Sequence, residues 1–354
     1  MKVAVIGPSR MPIAPPFGGG LEVFVHRIVS GLRARGVEVD LFAAHGSDGH
    51  RHDLEFPGVD WSGHEKIARD DQYPPGAEES ETAAYARLCE HLEGSDYDLI
   101  HNNSVHPALL RAARQLRPPM ITTLHVPPQP ALQRAVDDQG EAAGRFAAVS
   151  RFTARQWSLP APAAVIHNGV DVEEWPEGPG GGGVVWFGRI TREKAPHVAI
   201  EVSRRLGLPL TLIGRCADLP YFETRIAPAL GEDVRWLGAL PPSRIAEEVG
   251  RASLTLVTPQ WDEPFGLVLI ESLACGTPVA AFGRGGVTEV LASTPRHLAR
   301  PDDLQDLVRA ARRALRQPRA QARATAVERF DLRLMVDDYL GLFEQTALEG
   351  AMLR

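Results

Sequence analysis

The sequence predicts an α/β protein with two doubly wound parallel sheets. Short apolar runs alternate with helical patterns along almost the whole chain. Continuous apolar strands of this kind are typical of parallel sheets that helices cover on both faces. At 354 residues, the chain is also long for a single hydrophobic core. The alternation forms two series, so we predict two Rossmann-like domains that face each other across a cleft.

The first series begins at the amino terminus. Helix Leu21–Arg35 follows its first strand, because apolar residues recur there at helical spacing and Gly36 suits the left-handed position after a helix. The polar segment from His45 to Glu81 is long for a loop, and we predict a mobile insertion with a functional role. Six strands are predicted, at Val3–Ile6, Val37–Phe42, Leu99–His101, Ile121–Leu124, Ala147–Val149 and Val165–His167.

The second series follows the glycine-rich stretch Gly178–Gly183, which predicts a linker or a flexible loop. We predict an N-terminal domain over residues 1–172 and a C-terminal domain over residues 173–331. Helical patterns at Leu304–Arg316 and Gln321–Arg329 complete the second domain. Its strands are predicted at Val184–Phe187, Leu210–Ile213, Val234–Leu237, Leu254–Val257 and Val279–Ala281.

Composition excludes several classes of protein. A net charge of −7 argues against a general nucleic-acid binder. Three cysteines that lie far apart, Cys89, Cys216 and Cys275, indicate neither a disulfide framework nor a metal site. No run approaches the roughly 18 apolar residues of a transmembrane segment, and the first residues read as a buried strand instead of a signal peptide. We therefore expect a cytoplasmic enzyme.

The most informative stretch runs from Glu263 to Glu271. Pro264 has no N–H and suits the entrance of a helix, so the N–H groups of Phe265, Gly266, Leu267 and Val268 are predicted to lack intrahelical partners. Such donors, at the positive end of the helix dipole, suit a diphosphate or a sugar hydroxyl. Carboxylates that flank this turn can accept hydrogen bonds from hydroxyls, which favours a nucleotide-sugar as the ligand.

A glycine-rich loop, Phe17–Glu22, precedes the first helix. Its glycines allow a ligand close to the backbone, and a helix N-terminus attracts phosphate. A flexible turn is the alternative interpretation. The loop is not the dinucleotide fingerprint, which would follow the strand directly, whereas Gly7 here begins a proline-rich loop. This arrangement disfavours a dehydrogenase.

Two cations follow the strand Val184–Phe187. Gly188 permits close approach, and the guanidinium of Arg189 with the ammonium of Lys194 can hold two phosphates without a metal. His125 stands at the carboxyl end of another strand, where it can bind a sugar hydroxyl, although a lone histidine is more often structural. Backbone groups near Leu237 are candidates for binding the base.

These motifs resemble the retaining glycosyltransferases of family 4, which have the GT-B fold. The pattern Glu263…Glu271 looks like the signature of that family, and the other motifs occur in the family's order over nearly the whole chain. They are Phe17-Gly-Gly-Gly-Leu-Glu22, Thr123-Leu-His125, Val149-Ser150, Asn168-Gly-Val-Asp171, Phe187-Gly-Arg189 with Lys194, and Gly285-Gly-Val-Thr-Glu289. Each motif alone is weak, and the set is specific.

The resemblance implies roles for residues on the phosphate side. Gly19 and Gly20 would lie near the donor diphosphate and the acceptor, while Arg189 and Lys194 would stabilise the leaving nucleoside diphosphate. The chain departs from the family after the lysine, where Ala195-Pro196 replaces the usual glycine. That departure places the local turn geometry in question.

The resemblance also implies roles on the sugar side. His125 would contact the transferred sugar, Glu263 would bind sugar hydroxyls, and Glu271 would bind the nucleotide ribose. The C-terminal helix, residues 332–354, would pack back on the first domain.

The implied reaction moves a sugar from a nucleoside diphosphate donor to the hydroxyl of a natural product, glycan or lipid-linked acceptor. The anomeric configuration would be retained by front-face attack, with UDP- and GDP-sugars as the first candidates. No Asp-x-Asp triplet stands at the end of a predicted strand, so we expect no metal requirement and no cofactor. The alternatives are a nucleotide-sugar epimerase, a phosphorylase, or a non-catalytic nucleotide-sugar-binding subunit on the same fold.

Overall fold

The computed structural model describes residues 1–62 and 72–352 and forms two compact units. Unit 1 contains residues 1–62, 72–168 and 333–352, and unit 2 contains residues 169–332. The chain therefore divides between Asn168 and Gly169, whereas the predicted boundary lies between residues 172 and 173. In the part of the chain so described, no helix is long and apolar enough to cross a membrane.

Unit 1 is built on a parallel sheet of six strands in the order β2-β1-β3-β4-β5-β6. Every neighbouring pair is parallel, and β1 lies between β2 and β3. The residues of β1, β3 and β4 are almost all buried, as their continuous apolar sequences require. The strands are β1 (Lys2–Ile6), β2 (Glu38–Phe42), β3 (Leu99–Asn102), β4 (Met120–Leu124), β5 (Arg145–Ala148) and β6 (Ala164–Val165).

Among the described residues, five α-helices connect these strands. The first ends before Gly36, whose φ of 76° is the left-handed conformation that the sequence predicted there. A buried cluster that includes Phe56, Tyr85 and Leu88 forms the core on one face of the sheet. The helices are α1 (Gly20–Ala34), α2 (Ala77–Glu93), α3 (Ala108–Ala112), α4 (Pro130–Gln139) and α5 (Arg151–Gln156).

Unit 2 contains a second parallel sheet of six strands, in the order β12-β11-β10-β7-β8-β9. Its first strand, β7, thus lies between its second and its fourth. Two such sheets with flanking helices confirm the predicted fold class, although β12 was missed because two residues show no periodicity. The strands are β7 (Val184–Phe187), β8 (Leu210–Ile213), β9 (Val234–Trp236), β10 (Leu254–Val257), β11 (Val279–Phe282) and β12 (Leu298–Ala299).

The helices of unit 2 correct one prediction. The helix after β10 begins at Leu267, and not at Pro264, because the chain reverses at Gly266 with a φ of 95°. Pro264 and Phe265 therefore lie in the preceding loop, outside the first turn. The helices are α6 (Pro196–Leu206), α7 (Leu219–Tyr221), α8 (Pro242–Arg251), α9 (Leu267–Ala274), α10 (Val287–Val290), α11 (Leu304–Ala314) and α12 (Arg319–Phe330).

The glycine-rich stretch Gly178–Gly183 is not a free linker. Its backbone N–H groups donate to Cys275, Gly250 and Arg251 of unit 2. A Cβ added at Gly178 would lie 2.3 Å from Cα of Gly250, so this backbone is packed too closely for a side chain. Close packing excludes a side chain at Gly178, Gly182 and Gly183, whereas a Cβ at Gly181 would meet nothing within 4 Å. The stretch is an irregular loop that is hydrogen-bonded to unit 2.

The polar segment from His45 to Glu81 includes residues 63–71, which lie outside the described residues, so the predicted mobility is not tested there. Its first part is fastened to the sheet edge. Ala44 forms a parallel bridge with Phe56, and the N–H of Arg51 donates to Leu41 at 2.8 Å. Phe56 is fully buried in the core of unit 1.

The last helix, α13 (Leu332–Met352), returns to unit 1. Val336 packs against Gly31 of α1 so closely that a Cβ at Gly31 would lie 2.5 Å from it. Tyr339 is fully buried, with its ring centroid 5.7 Å from that of Phe24. Small and aromatic side chains on α1 and α13 thus form one interface.

Candidate active site

The candidate site in unit 2 lies where the strand order reverses. The first strand, β7, neighbours the fourth, β10, and open parallel sheets bind ligands at the carboxyl ends of strands at such a point. The loop after β7 carries Arg189 and Lys194. The loop after β10 carries Glu263 and leads into α9. The topology therefore brings together motifs that are distant in sequence.

Lys194 and Glu263 form the central contact of this site. The ammonium Nζ lies 2.8 and 2.6 Å from the two carboxylate oxygens of Glu263. The indole N–H of Trp261 donates to the same carboxylate at 3.0 Å, and Nζ lies 5.3 Å from the centroid of the Trp261 ring. The Lys194 side chain is 24% exposed and that of Glu263 11%, so the pair is largely shielded from water.

Thr258 supports the backbone at Lys194. The hydroxyl oxygen of Thr258 lies 3.0 Å from the carbonyl oxygens of both Lys194 and Ala195, and it accepts a hydrogen bond from the indole N–H of Trp186. Ala195 has a φ of 49°, a left-handed conformation that favours glycine. The backbone at Ala195, where the resemblance implies a glycine, thus has a conformation that glycine adopts readily.

The backbone at Glu263 is held by the loop after β11. The N–H of Gly286 donates to the Glu263 carbonyl at 2.7 Å. A Cβ added at Gly285, where φ is 58°, would lie 2.3 Å from that same oxygen. The loop Gly283–Gly286, which begins the motif Gly285–Glu289, therefore lies directly against the backbone of Glu263.

Arg189 occupies the start of the loop after β7. Gly188, at the end of β7, has a φ of 149°, which favours glycine. Gly214, at the end of β8, must also be glycine, because a Cβ there would lie 1.8 Å from the carbonyl oxygen of Gly188. The guanidinium of Arg189 lies 3.7 Å from the Glu193 carboxylate. The N–H of Gln260 donates to the Glu193 carbonyl at 2.7 Å and joins this loop to the loop after β10.

The positions predicted for the nucleoside lie on two separate elements of unit 2. Leu237 follows the edge strand β9, and its N–H donates to the Leu212 carbonyl at 3.0 Å. Glu271 is buried as the fifth residue of α9, about one turn inside the helix, because α9 begins at Leu267.

The site residues predicted in unit 1 surround the start of α1. Gly19 is the N-cap of α1 and Gly20 its first residue. The His125 ring packs edge-on against Phe24 of α1 at 4.6 Å, and its Nε2 lies 3.0 Å from the amide oxygen of Asn103. Desolvation lowers the pKa of His125 to about 3, so the imidazole is neutral near pH 7. A neutral imidazole suits hydrogen bonding to a hydroxyl.

Two groups of polar residues were missed at the sequence level. Trp261, which bonds to Glu263, gave no signal, because the contact depends on the loop conformation. The second group, His50, His52 and Glu55, follows β2 and has ligand atoms within 4.8 Å of one another. Its pattern in the sequence is His45-x4-His50-x-His52-x2-Glu55, which neither the cysteine count nor the absence of an Asp-x-Asp triplet reveals.

The arrangement in unit 2 combines a shielded cation, a carboxylate and the N-terminal turn of α9. The cation and the N–H donors suit phosphate oxygens. The carboxylate can accept hydrogen bonds from hydroxyls. A ligand that contains a diphosphate and a sugar offers both kinds of partner.

Two family models match consecutive parts of the chain. Residues 18–174 match the model described as Glycosyltransferase Family 4, and residues 176–329 match the model described as Glycosyl transferases group 1. Together they span both units.

Curated relatives extend the match over most of the chain. D-inositol 3-phosphate glycosyltransferase of Arthrobacter sp. (strain FB24) is 27% identical over 82% of this chain and 80% of its own. The protein of that name from Thermobifida fusca (strain YX) is 26% identical over 92% of this chain and 88% of its own. Alpha-maltose-1-phosphate synthase of Mycobacterium tuberculosis (strain ATCC 25618 / H37Rv) is 32% identical over 36% of this chain and 39% of its own.

Solved structures share the fold. Sucrose-phosphate synthase of Thermosynechococcus elongatus aligns with a TM-score of 0.76 at 20% identity, over 98% of both chains. Anabaena HepE in complex with UDP-glucose aligns with a TM-score of 0.73 at 20% identity, over 98% of this chain and 100% of its own. With the two family models and the two parallel sheets, these matches establish that the chain belongs to glycosyltransferase family 4 and is a glycosyltransferase with the GT-B fold.

Proposed function

We propose that this glycosyltransferase moves a sugar from a nucleoside diphosphate donor to an acceptor hydroxyl, with retention at the anomeric carbon and without a metal ion. The observation that carries the proposal is the Lys194–Glu263 pair at the switch point of the second sheet. This pair supports the proposal because an ammonium suits phosphate oxygens and a carboxylate suits sugar hydroxyls.

The ion pair suggests how donor binding prepares the site. In the free protein, Glu263 neutralises Lys194. An incoming diphosphate competes for the ammonium, and the carboxylate is then available to the hydroxyls of the sugar. Each group exchanges one partner for another, so neither charge is left buried and unpaired.

The leaving diphosphate develops negative charge in the transition state. Arg189, Lys194 and the first N–H groups of α9, beginning at Leu267, are the donors that we propose for it. Preorganised donors aimed at developing charge supply a large part of enzymatic rate enhancement. We assign Gly188, Phe265 and Gly266 to the backbone that lets the donor approach these groups.

The remaining roles follow the family resemblance. Glu271 binds the ribose hydroxyls, and backbone groups at Leu237 contact the base. In unit 1, His125 contacts the transferred sugar, while Gly19 and Gly20 lie near the diphosphate and the acceptor. The neutral state of His125 supports this role, because it can both donate and accept a hydrogen bond.

Retention without a protein nucleophile is part of the proposal. A retaining glycosidase uses two carboxyl groups about 5 Å apart, one of them as nucleophile. The Glu263 carboxylate is held by Lys194 and Trp261, which favours hydrogen bonding over nucleophilic attack. We therefore propose front-face attack by the acceptor within an ion pair.

UDP-sugars are the first donor candidates, and GDP-sugars the second. The HepE structures contain UDP or UDP-glucose on a chain with this fold. For the acceptor, the curated relatives named D-inositol 3-phosphate glycosyltransferase make that polyol phosphate the first small molecule to test, beside glycan acceptors.

The test is a donor screen followed by product analysis. UDP-, GDP-, ADP- and dTDP-sugars are incubated with the enzyme in EDTA, with and without acceptors, and the released nucleotide is measured. We expect turnover with UDP- or GDP-sugars, and proton NMR should show the donor's anomeric configuration in the product. An inverted product, or activity that EDTA abolishes and Mn²⁺ restores, would contradict the mechanism. Donor binding with no turnover across all acceptors would instead indicate a non-catalytic subunit.

A further inference from the structure

A second polar cluster lies in unit 1, on the loop that follows β2. We name residues 44–56 the His-Glu loop. Nε2 of His50 lies 2.7 Å from one oxygen of Glu55, and Nδ1 of His52 lies 3.5 Å from the same oxygen. Nδ1 of His45 lies 3.0 Å from the other oxygen of Glu55. Three imidazoles therefore converge on a single carboxylate.

The hydrogen bonds of His50 do not balance for a neutral ring. Its Nδ1 lies 2.7 Å from the carbonyl oxygen of Ser47, and its Nε2 lies 2.7 Å from Glu55. Both partners are acceptors, whereas a neutral imidazole has one N–H. The side chain is 1% exposed, so water cannot relieve the conflict. A metal ion bound by both Nε2 of His50 and the Glu55 carboxylate would remove the conflict between these two acceptors.

The spacing of the ligand atoms favours a metal ion. Ligands in a tetrahedral zinc site lie about 2.0–2.1 Å from the ion and thus about 3.3 Å from one another. The separations of 2.7 and 3.5 Å around the Glu55 oxygen bracket that value. An ion between Nε2 of His50 and Glu55 would accept the lone pair of Nε2 and leave Nδ1–H to donate to Ser47.

We propose that the His-Glu loop binds a divalent transition metal ion of the zinc class through His50 Nε2, His52 Nδ1 and the Glu55 carboxylate. Imidazole nitrogens suit zinc and its neighbours, whereas magnesium and calcium prefer oxygen ligands. Water fills the fourth position. His45 donates to the second carboxylate oxygen and orients Glu55.

The surroundings of these ligands are preorganised. Metal-binding histidines usually donate their second N–H to a carbonyl or carboxylate, as His50 does to Ser47. The Ser47 hydroxyl is itself fixed, because it donates to the Ala44 carbonyl at 2.6 Å and accepts from the N–H of Ile13 at 2.8 Å. The same contacts hold the ends of the loop near the sheet edge.

The ion would be structural and separate from the transfer chemistry proposed above. Its ligands belong to the loop after β2, and none of them has a role in the transfer proposed above. We expect it to fasten the His-Glu loop to β2. Removal of the ion should lower thermal stability and leave donor hydrolysis unchanged at a temperature where the fold is intact.

The test uses the full-length chain after dialysis against a chelator. Zn²⁺ is titrated by calorimetry, and Co²⁺ is titrated while its visible absorption is recorded. We expect about one ion per chain, a cobalt spectrum typical of four-coordinate nitrogen and oxygen ligands, and a raised melting temperature with Zn²⁺.

Variants identify the ligands. His52→Ala is suited to this purpose because that side chain is 81% exposed and its loss should not disturb folding. It should weaken Zn²⁺ binding at least about 100-fold, and His45→Ala about 10–100-fold, as for an outer-shell partner. His197→Ala, in unit 2, is the control and should bind as the wild type does. Binding that His52→Ala leaves unchanged, or no cobalt spectrum at all, would overturn the proposal and leave His50 as a protonated partner of Glu55.

Discussion

At the scale of single residues, the site depends on an ion pair that is only partly open to water. Lys194 and Glu263 neutralise each other's charge, and the indole N–H of Trp261 donates a further hydrogen bond to the carboxylate. Loss of one member of a shielded pair leaves the other charge without its partner, and this costs more than loss of both. The same residues can therefore be tested for stability and for catalysis separately.

Lys194→Ala should lower the free energy of unfolding by about 1–3 kcal/mol, a range reduced from the fully buried case because the pair is partly exposed. The double variant with Glu263→Gln should regain part of that stability, while donor hydrolysis stays reduced at least about 100-fold. Urea unfolding and nucleotide release measure the two effects. Arg192→Ala is the control, since that guanidinium lies over Tyr221 and not at Glu263. Additive stability losses in the double variant would contradict the pairing.

Ala195 is a second residue-scale test, because its φ of 49° is strained for alanine. Ala195→Gly should change stability by less than about 1 kcal/mol, since relief of strain offsets the greater freedom of the unfolded chain. Ala199→Gly, inside α6 and equally buried, should cost about 1 kcal/mol. If urea unfolding shows equal losses for the two variants, the left-handed conformation of Ala195 is wrong.

At the scale of elements, the sequence predicted most strands well and the loops between them less well. Val184–Phe187 and Leu254–Val257 are continuous apolar runs, and both strands have those bounds. The start of α9 was misplaced, because Pro264 is a helix-entrance signal that the reversal at Gly266 overrides. The contact of Gly286 with Glu263 joins segments that periodicity cannot connect. The order of the motifs predicted the candidate site residues. The contacts that support their backbone are visible only in the folded loops.

Gly285→Ala tests the loop that supports Glu263. A Cβ there would lie 2.3 Å from the Glu263 carbonyl oxygen, so the backbone must shift. We expect a loss of about 2 kcal/mol or more in unfolding free energy and reduced donor hydrolysis. Gly207→Ala is the matched control, with a similar φ of 70° and nothing within 4 Å of the new Cβ. It should cost about 1 kcal/mol and leave turnover unchanged. Equal effects on turnover would exclude the proposed support.

At the scale of the whole molecule, stability should depend on pH through a buried histidine. His101 lies in β3, with its Nε2 2.9 Å from the Thr123 hydroxyl, and desolvation lowers its pKa to about 3. The folded pKa is below the unfolded value, so the unfolded chain takes up the proton first as pH falls. The contribution of neutral His101 to the free energy of unfolding is fully present above about pH 6.5, and it is lost progressively as the pH falls toward about 3.

Between about pH 7.5 and about pH 5, this one group should remove about 2 kcal/mol from the unfolding free energy. Urea unfolding followed by circular dichroism at the two pH values measures the difference. The His101→Gln variant has no such titration. Between those pH values, its unfolding free energy should therefore fall by about 2 kcal/mol less than that of the wild type, although the variant is less stable at both pH values. An unchanged pH dependence in the variant would show that other groups cause it.

The return of α13 builds unit 1 from two segments that are distant in sequence. Synthesis proceeds from the amino terminus, so Tyr339, an aromatic partner of Phe24, is made only after residues 169–332, which form an uninterrupted unit. A premature stop codon just after residue 332 would therefore damage unit 1 and spare unit 2. Nascent unit 1 stays incompletely covered until its 21-residue helix α13 has been made.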